Sequence, residues 1–181
     1  LGNSARDTAI ASGGGAYLSQ LYDCNIRSNY AVAGGGLAFC TNYSGNLSGN
    51  SATNNGGGAL SGLLLDCTIA GNTAGNGGGV SSSTTSNCLF TGNRAVLGGG
   101  AENSRVLNSL LLSNVAQGTG GGGHLTRFTN CSLAFNFATN SGGAASGSFL
   151  FRCVASNNWA GAGGATTFSS NYFCRLLSNA A

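Results

Sequence analysis

The chain has 181 residues and a formal net charge of +3, and only 6% of its residues are charged. The positive charge comes from seven dispersed arginines without any lysine, so we predict no nucleic-acid partner. No apolar run of about 18 residues is present, so we predict no membrane span. The low charge and the many Asn and Ser residues favour an extracellular or cell-surface protein.

In chain order, residues 1–12 contain only a partial unit, at Asn3 and Ala5, and we predict an irregular N-terminal turn or latch there. From residue 13 onward, a unit of 21 or 22 residues occurs eight times, so residues 1–181 are expected to form one domain. Each unit opens on Gly-Gly-Gly or Gly-Gly-Ala, at residues 13–15, 34–36, 56–58, 77–79, 98–100, 120–122, 142–144 and 163–165.

Three further columns, meaning equivalent positions of successive units, recur behind each glycine triplet. The first column is mostly cysteine and contains Cys24, Cys67, Cys88, Cys131, Cys153 and Cys174. The second is asparagine in every unit: Asn29, Asn50, Asn72, Asn93, Asn114, Asn136, Asn158 and Asn179. Alanine follows two residues later in all eight units, whereas the arginines are interpreted as scattered over different columns.

The repeat favours an all-β fold. Stacked repeats bury their apolar faces against one another, and 33 glycines would make helices costly at about 1 kcal/mol each. Short apolar runs between Gly and Asn, such as residues 63–65 and 105–107, indicate strands and turns. We therefore predict a right-handed parallel β-helix with three short strands per coil. Its eight coils would lie about 4.8 Å apart in a rod about 40 Å long.

Two of the columns are expected to form ladders inside this β-helix. Asparagine tolerates the left-handed backbone of a turn and can hydrogen-bond to the asparagines above and below it. The cysteines are expected to pack as free thiols, because parallel in-register side chains meet disulfide geometry badly. Cys40 lies outside the cysteine column and is predicted to be more exposed.

The segment "FTGNRAVLGGGA" at residues 90–101 resembles the repeats of chlamydial polymorphic outer-membrane proteins, which pair F-x-x-N with G-G-A-[ILV]. The segments "NCLFTGN" (87–93) and "NCSLAFN" (130–136) are similar to right-handed parallel β-helix repeats that carry N-C-x-[IL]-x-x-N. This resemblance covers nearly the whole chain. It implies a β-helix fold and an adhesive role at the cell surface.

Few side chains suit catalysis. The carboxylates are Asp7, Asp23, Asp66 and Glu102, and we interpret Asp23 and Asp66 as polar turn residues. Their expected separation of about 9.6 Å, two coil spacings, keeps a polysaccharide-degrading enzyme as an alternative. His124 is interpreted as a surface residue without an acidic partner in its column. We predict no catalytic residue, no metal site and no cofactor.

Two binding functions remain as alternatives. A column of mainly Ser and Thr, which contains Ser83, Ser104 and Thr126, suggests ice binding. Phe135, Phe137 and Trp159 fall near one turn on adjacent coils and, if outward, form a patch for a cell-surface glycan, a host protein or another subunit.

The coils at both ends of the repeat array lack an obvious cap, and open β-edges template association. We therefore predict head-to-tail stacking of this chain into a fibre, or a place within a longer solenoid. The expected function is structural or adhesive, with no enzymatic activity.

Overall fold

The computed structural model describes residues 12–181, and this part of the chain is an all-β parallel solenoid of about eight coils without a helix. The β-helix prediction is confirmed at this level. The turn or latch predicted for residues 1–12 lies outside the described residues except for Ser12, which bridges to Ala33. No helix in residues 12–181 is long and apolar enough to span a membrane.

Each coil has four sides, so the prediction of three strands per coil is wrong. The first side of each coil joins a parallel sheet made of β1 (Ala16–Tyr17), β5 (Leu37–Ala38), β9 (Ala59–Leu60), β12 (Val80–Ser81), β16 (Ala101–Glu102), β20 (Gly123–His124), β24 (Ala145–Ser146) and β28 (Thr166–Thr167). The second sheet contains β2 (Gln20–Tyr22), β6 (Thr41–Tyr43), β10 (Leu63–Leu65), β13 (Thr84–Ser86), β17 (Arg105–Leu107), β21 (Arg127–Thr129), β25 (Phe149–Phe151) and β29 (Ser170–Tyr172).

The remaining two sides form the third and fourth sheets. The third sheet contains β3 (Asn25–Arg27), β7 (Asn46–Ser48), β11 (Thr68–Ala70), β14 (Leu89–Thr91), β18 (Leu110–Leu112), β22 (Ser132–Ala134), β26 (Val154–Ser156) and β30 (Arg175–Leu177). The fourth contains β4 (Tyr30–Ala33), β8 (Ser51–Asn55), β15 (Arg94–Leu97), β19 (Val115–Thr119), β23 (Phe137–Ser141) and β27 (Trp159–Ala162). Single bridges at Thr73 join β8 to β15.

The corners explain why the coil has four sides. A residue with positive φ recurs every five positions; in the fifth coil these are Gly98, Asn103, Asn108 and Ser113, with φ between 45° and 61°. Gly and Asn adopt this left-handed conformation at low cost. The first three sides therefore have five residues each and the fourth has six or seven, which gives coils of 21 or 22 residues.

The fourth side absorbs the difference between coils of 21 and 22 residues. Its strands have four residues in β15 and β27 but five residues in β19 and β23. The register shifts between β15 and β19 and again between β23 and β27, where coils of different length meet. The other three sheets keep a continuous register, so the extra residue leaves the ladders undisturbed.

The glycine triplet is needed because its three residues meet different obstacles, as residues 98–100 show. Gly98 has a φ of 61°, and an added Cβ would collide with the carbonyl oxygen of Ala101. A Cβ on Gly99 would lie 2.5 Å from the carbonyl oxygen of Val115, across the coil. A Cβ on Gly100 would lie 2.5 Å from the carbonyl oxygen of Gly122 in the next coil and 3.1 Å from the side chain of Leu111. All three positions therefore meet a backbone carbonyl oxygen, and only the first also has a positive φ.

The seventh coil departs from the glycine triplet. Its third triplet residue is Ala144, and the column that holds Leu111 and Leu133 in the two preceding coils has Ala155 here. Both alanines are fully buried in the main core. The smaller side chain of Ala155 leaves room for the methyl group of Ala144, so volume is conserved within the coil.

One core residue carries an unpaired hydroxyl. Thr85 is fully buried between Leu64 and Val106 in the second sheet, and its Oγ1 has no hydrogen-bond partner. Thr85→Val keeps the shape and removes the unsatisfied group, so it is expected to raise the free energy of unfolding by about 1–2 kcal/mol. Urea denaturation measures this change.

Thr126→Val serves as the matched control. Thr126 Oγ1 donates to the carbonyl of His124 at 2.9 Å and accepts from the backbone N–H of Ser104 at 3.4 Å. The same substitution is expected to lower the free energy of unfolding by about 1–2 kcal/mol here. Equal effects at the two threonines would show that the hydroxyl of Thr85 is satisfied.

Candidate functional site

The asparagine column forms a buried ladder between the third and fourth sheets. Each asparagine follows a positive-φ corner residue, which turns its side chain into the coil. Asn72 shows the pattern: its backbone N–H and its Nδ2 both donate to Asn93 Oδ1 at 3.0 Å. Its Nδ2 also donates to the carbonyl of Leu47 at 2.9 Å, and its Oδ1 accepts from Asn50. All amide groups of an interior rung are therefore satisfied.

The ladder links every coil from Asn29 to Asn179 through side-chain hydrogen bonds of 2.8 to 3.1 Å. Seven of its members are at most 4% exposed: Asn29, Asn50, Asn72, Asn93, Asn114, Asn136 and Asn158. This chain of buried amides fixes the register between coils, because a one-residue slip would place each amide on the outer face.

The cysteine column lies at the corner between the second and third sheets, and all six thiols are free. Each thiol donates to the carbonyl two residues earlier in the chain, as Cys67 does to Leu65 at 3.1 Å. Neighbouring thiols also affect one another. The neighbouring thiol of Cys131 lowers the pKa of Cys153, whereas the thiol of Cys153, together with burial, raises the pKa of Cys131.

The prediction that Cys40 is more exposed is wrong. Cys40 is 3% exposed and belongs to an inward column at the corner between the first and second sheets. The other members of this column include Ser83, Ser104 and Thr126, whose hydroxyls donate to carbonyls two residues earlier. The hydroxyl row considered for ice binding therefore faces the interior of the solenoid.

A compensating pair explains the gap at Gly45 in the cysteine column. Asn42, in the core column of the second sheet, is fully buried and directs its Nδ2 toward Cys67 Sγ at 3.5 Å. A Cβ on Gly45 would collide with the Asn42 amide, so the amide occupies the space of the missing thiol. Asn42 Oδ1 nevertheless remains without a partner.

This pair makes a double-mutant cycle informative. Gly45→Cys alone is expected to destabilise the protein by about 2 kcal/mol, because the thiol overlaps the Asn42 amide. Adding Asn42→Leu, the residue type at position 64 of the same column, removes the overlap and the orphaned oxygen. Denaturation is expected to show that the double variant is more stable, by over about 1 kcal/mol, than the sum of the two single effects predicts. Additive effects would contradict the compensation.

The three aromatic residues of the proposed binding patch all point outward. Phe137 and Trp159 are in register in the fourth sheet, and their rings stack at 4.8 Å with an interplanar angle of 8°. Phe137 is 37% exposed and Trp159 43%. Phe135 lies at the preceding corner with a φ of 56° and is 61% exposed. The structure thus places an aromatic pair on one lateral face, with Phe135 beside it at the corner.

The structure describes three of the four acidic residues, since Asp7 lies outside the described residues, and these three lie in different coils. Asp23 and Asp66 are exposed residues at positive-φ corners, as expected of turn residues. Glu102 accepts a hydrogen bond from Ser81 at 2.8 Å and is in register with His124. His124 therefore has an acidic neighbour in its column, contrary to the prediction. Burial lowers the pKa of His124 and Glu102 opposes this shift, so the imidazole is neutral at neutral pH.

Two arginines share a column, so the interpretation that the arginines are scattered is wrong for this pair. Arg105 and Arg127 are exposed residues directly opposite each other on β17 and β21. The signal was present in the sequence, because both residues lie seven positions after the first glycine of their units.

No group of three or more His, Cys, Asp and Glu residues suited to a metal ion occurs in residues 12–181. No protein-family model matches the chain, and no curated protein is significantly similar to it.

Proposed function

We propose that this chain is a non-catalytic, extracellular or cell-surface β-solenoid with a structural or adhesive role, and that it stacks head to tail with further copies of itself or forms part of a longer solenoid. The low charge of the sequence supports the location. The resemblance of residues 90–101 to polymorphic outer-membrane protein repeats supports the adhesive role. The edge of the coil formed by residues 163–181 supports continuation of the stack, either by a second copy or by further coils of a longer solenoid.

The apolar interior is uncovered at this coil. Leu176 is 46% exposed, whereas the seven preceding members of its inward column are at most 9% exposed: Ile26, Leu47, Ile69, Phe90, Leu111, Leu133 and Ala155. Phe173, at a corner of the same coil, is 81% exposed. A further coil placed on this surface would bury Leu176 and cover one side of Phe173, which favours association by about 25 cal/mol for each Å² of apolar area removed from water.

The hydrogen-bonding groups of this coil also suit a further coil. In each interior rung, the backbone N–H and Nδ2 of asparagine donate to the next Oδ1, whereas Asn179 donates only to the carbonyl of Ala155 among residues 12–181. The strands β28, β29 and β30 each end their sheets and present an unpaired edge. An added coil with the same ladders would satisfy these groups in register.

Electron microscopy of the purified chain tests the stacking. The wild-type protein is expected to form rods much longer than a single chain, about 40 Å. Leu176→Lys places a charge inside the proposed junction and is expected to leave short particles. Leu177→Lys adds the same charge one residue later, where the side chain faces outward, and is expected to retain the rods. A wild-type chain that stays monomeric at high concentration would contradict the stacking.

A second candidate function is glycan binding by the Phe137–Trp159 pair. Trp159 is in register with Ala180 in the next coil, and a methyl group leaves much of the outer indole face uncovered. A flat exposed aromatic face is suited to the apolar face of a sugar ring. Glycan-array binding is expected to disappear in Trp159→Ala and to persist in Phe168→Ala, which removes a ring that is 93% exposed elsewhere. Equal loss in both variants would exclude a specific site.

A further inference from the structure

The outer face of the second sheet contains an unfavourable pair of charges. Arg105 and Arg127 are exposed and directly opposite on adjacent coils, with a strand spacing of about 4.8 Å. Like charges at such positions destabilise a sheet. Among residues 12–181, no carboxylate forms an ion pair with either guanidinium. The pair therefore has a structural cost that the described part of the chain does not offset.

The surroundings also contribute little negative charge. Residues 77–181 contain five arginines and a single carboxylate, Glu102. Glu102 lies on the first sheet, where it accepts a hydrogen bond from Ser81. This half of the solenoid is therefore basic, and the two paired guanidiniums are its densest charge.

A groove of about 380 Å³ lies beside the two arginines. Besides Arg105 and Arg127, its lining includes the exposed hydroxyls of Ser82 and Thr84 and the amide of Asn103. A second groove of about 320 Å³ lies on the other side of Arg127, toward Phe149. Arg127 thus lies between two grooves that follow the solenoid axis. The residues that line these grooves include groups that can bind anions and hydroxyls.

Phe149 holds Arg127 in place. The guanidinium carbon of Arg127 lies 5.2 Å from the centre of the Phe149 ring, at a distance typical of a cation–π contact. Tyr172, which lies on the next coil in register with Phe151, has its ring centre 5.3 Å from that of Phe149. Because Phe149 already contacts both neighbours, it offers little free face for a stacked nucleic-acid base.

We propose that this groove is a binding site for an acidic polysaccharide. Arg105 and Arg127 bind the carboxylate or sulfate groups, since guanidinium forms paired hydrogen bonds with planar and tetrahedral oxyanions. Ser82, Thr84 and Asn103 contact sugar hydroxyls. A bound polyanion neutralises the repulsion between the two arginines. The site lies on the second sheet, apart from Trp159 on the fourth, and does not depend on head-to-tail stacking.

Isothermal titration calorimetry with four polymers tests this site. Polygalacturonate carries carboxylates, heparin carries sulfates, dextran is uncharged, and oligo(dT) is a single-stranded nucleic acid. The wild-type chain is expected to bind at least one of the two acidic polysaccharides and to bind dextran undetectably. The acidic polysaccharide that binds more tightly shows whether the site prefers carboxylate or sulfate groups. Tighter binding to oligo(dT) than to either polysaccharide, or no binding to both polysaccharides, would overturn the proposal.

Charge-matched variants separate a site from general attraction. Arg105→Gln/Arg127→Gln is expected to weaken binding about tenfold or more, equivalent to about 1.4 kcal/mol. Arg27→Gln/Arg94→Gln removes the same charge from exposed positions on the third and fourth sheets, and is expected to weaken binding by less than about twofold. Equal weakening in both variants would overturn the proposal. Without ligand, Arg105→Gln/Arg127→Gln is expected to melt no lower than the wild type, because repulsion is relieved.

Discussion

Asn114→Ala is expected to lower the free energy of unfolding by about 3–5 kcal/mol. The side chain is fully buried in the middle of the asparagine ladder. Its Oδ1 accepts from the backbone N–H and the Nδ2 of Asn93 at 3.1 and 3.0 Å. Its Nδ2 donates to the carbonyl of Phe90 at 3.3 Å and to Asn136 Oδ1 at 3.0 Å. Alanine removes all these partners at once and leaves buried groups that water cannot reach.

Chemical denaturation of Asn114→Ala and Asn140→Ala measures the effect of the ladder position. Asn140 lies in the fourth sheet and is exposed, so its substitution is expected to change the free energy of unfolding by less than about 0.5 kcal/mol. A similarly small effect at Asn114 would show that the ladder contributes nothing to stability.

Asn114→Asp adds a further check, since a carboxylate cannot donate. That variant is expected to be more stable at acidic than at neutral pH, where the carboxyl loses its proton.

Gly99→Ala is expected to destabilise the solenoid by about 3 kcal/mol or more, because the added methyl group meets backbone on two sides. Its Cβ would lie 2.5 Å from the carbonyl oxygens of Gly121 and Val115. Gly121 belongs to the next coil and Val115 to the fourth side of the same coil. Relief would require the coils and the two sides to separate together, which disturbs the neighbouring ladder.

Gly92→Ala separates this steric effect from the general cost of replacing glycine. Gly92 has a φ of 62°, and an added Cβ would have no atom within 4 Å. Its replacement therefore costs only the left-handed backbone strain, about 1 kcal/mol. Thermal unfolding of the two variants is expected to place Gly99→Ala well below Gly92→Ala. The reverse order would mean that backbone conformation, rather than the close approach of the coils, requires glycine in the triplets.

The sequence by itself determined the period, the all-β class and the two main ladders. These features repeat eight times at constant spacing, and a parallel solenoid converts equal spacing directly into vertical contact. Asn72 therefore had to lie beside Asn93, whatever the shape of the coil. The outward positions of Phe137 and Trp159 follow from strand alternation, because each lies between an asparagine and an alanine that belong to inward columns.

The tertiary structure alone decided what happens within each coil. Four sides rather than three follow from positive-φ corners at every fifth residue, and several of these corners carry Leu or Phe, as at Leu125 and Phe135. Such residues give no local turn signal, because stacking against neighbouring coils, and not their own propensity, holds them there. Cys40 is buried because it lies at the corner between the first and second sheets, and the sequence did not indicate that corner.

The contact between Asn42 and Gly45 also needed the structure, because it joins two columns across a corner. The pairing of Arg105 with Arg127 and of Glu102 with His124 lay within single columns, so sequence register predicts which residues are neighbours. Only the folded chain shows the groove beside the arginines and the partial burial of His124. Sequence spacing determines adjacency along the solenoid axis, whereas packing across the coil depends on side-chain volume and corner geometry, which the repeat does not encode.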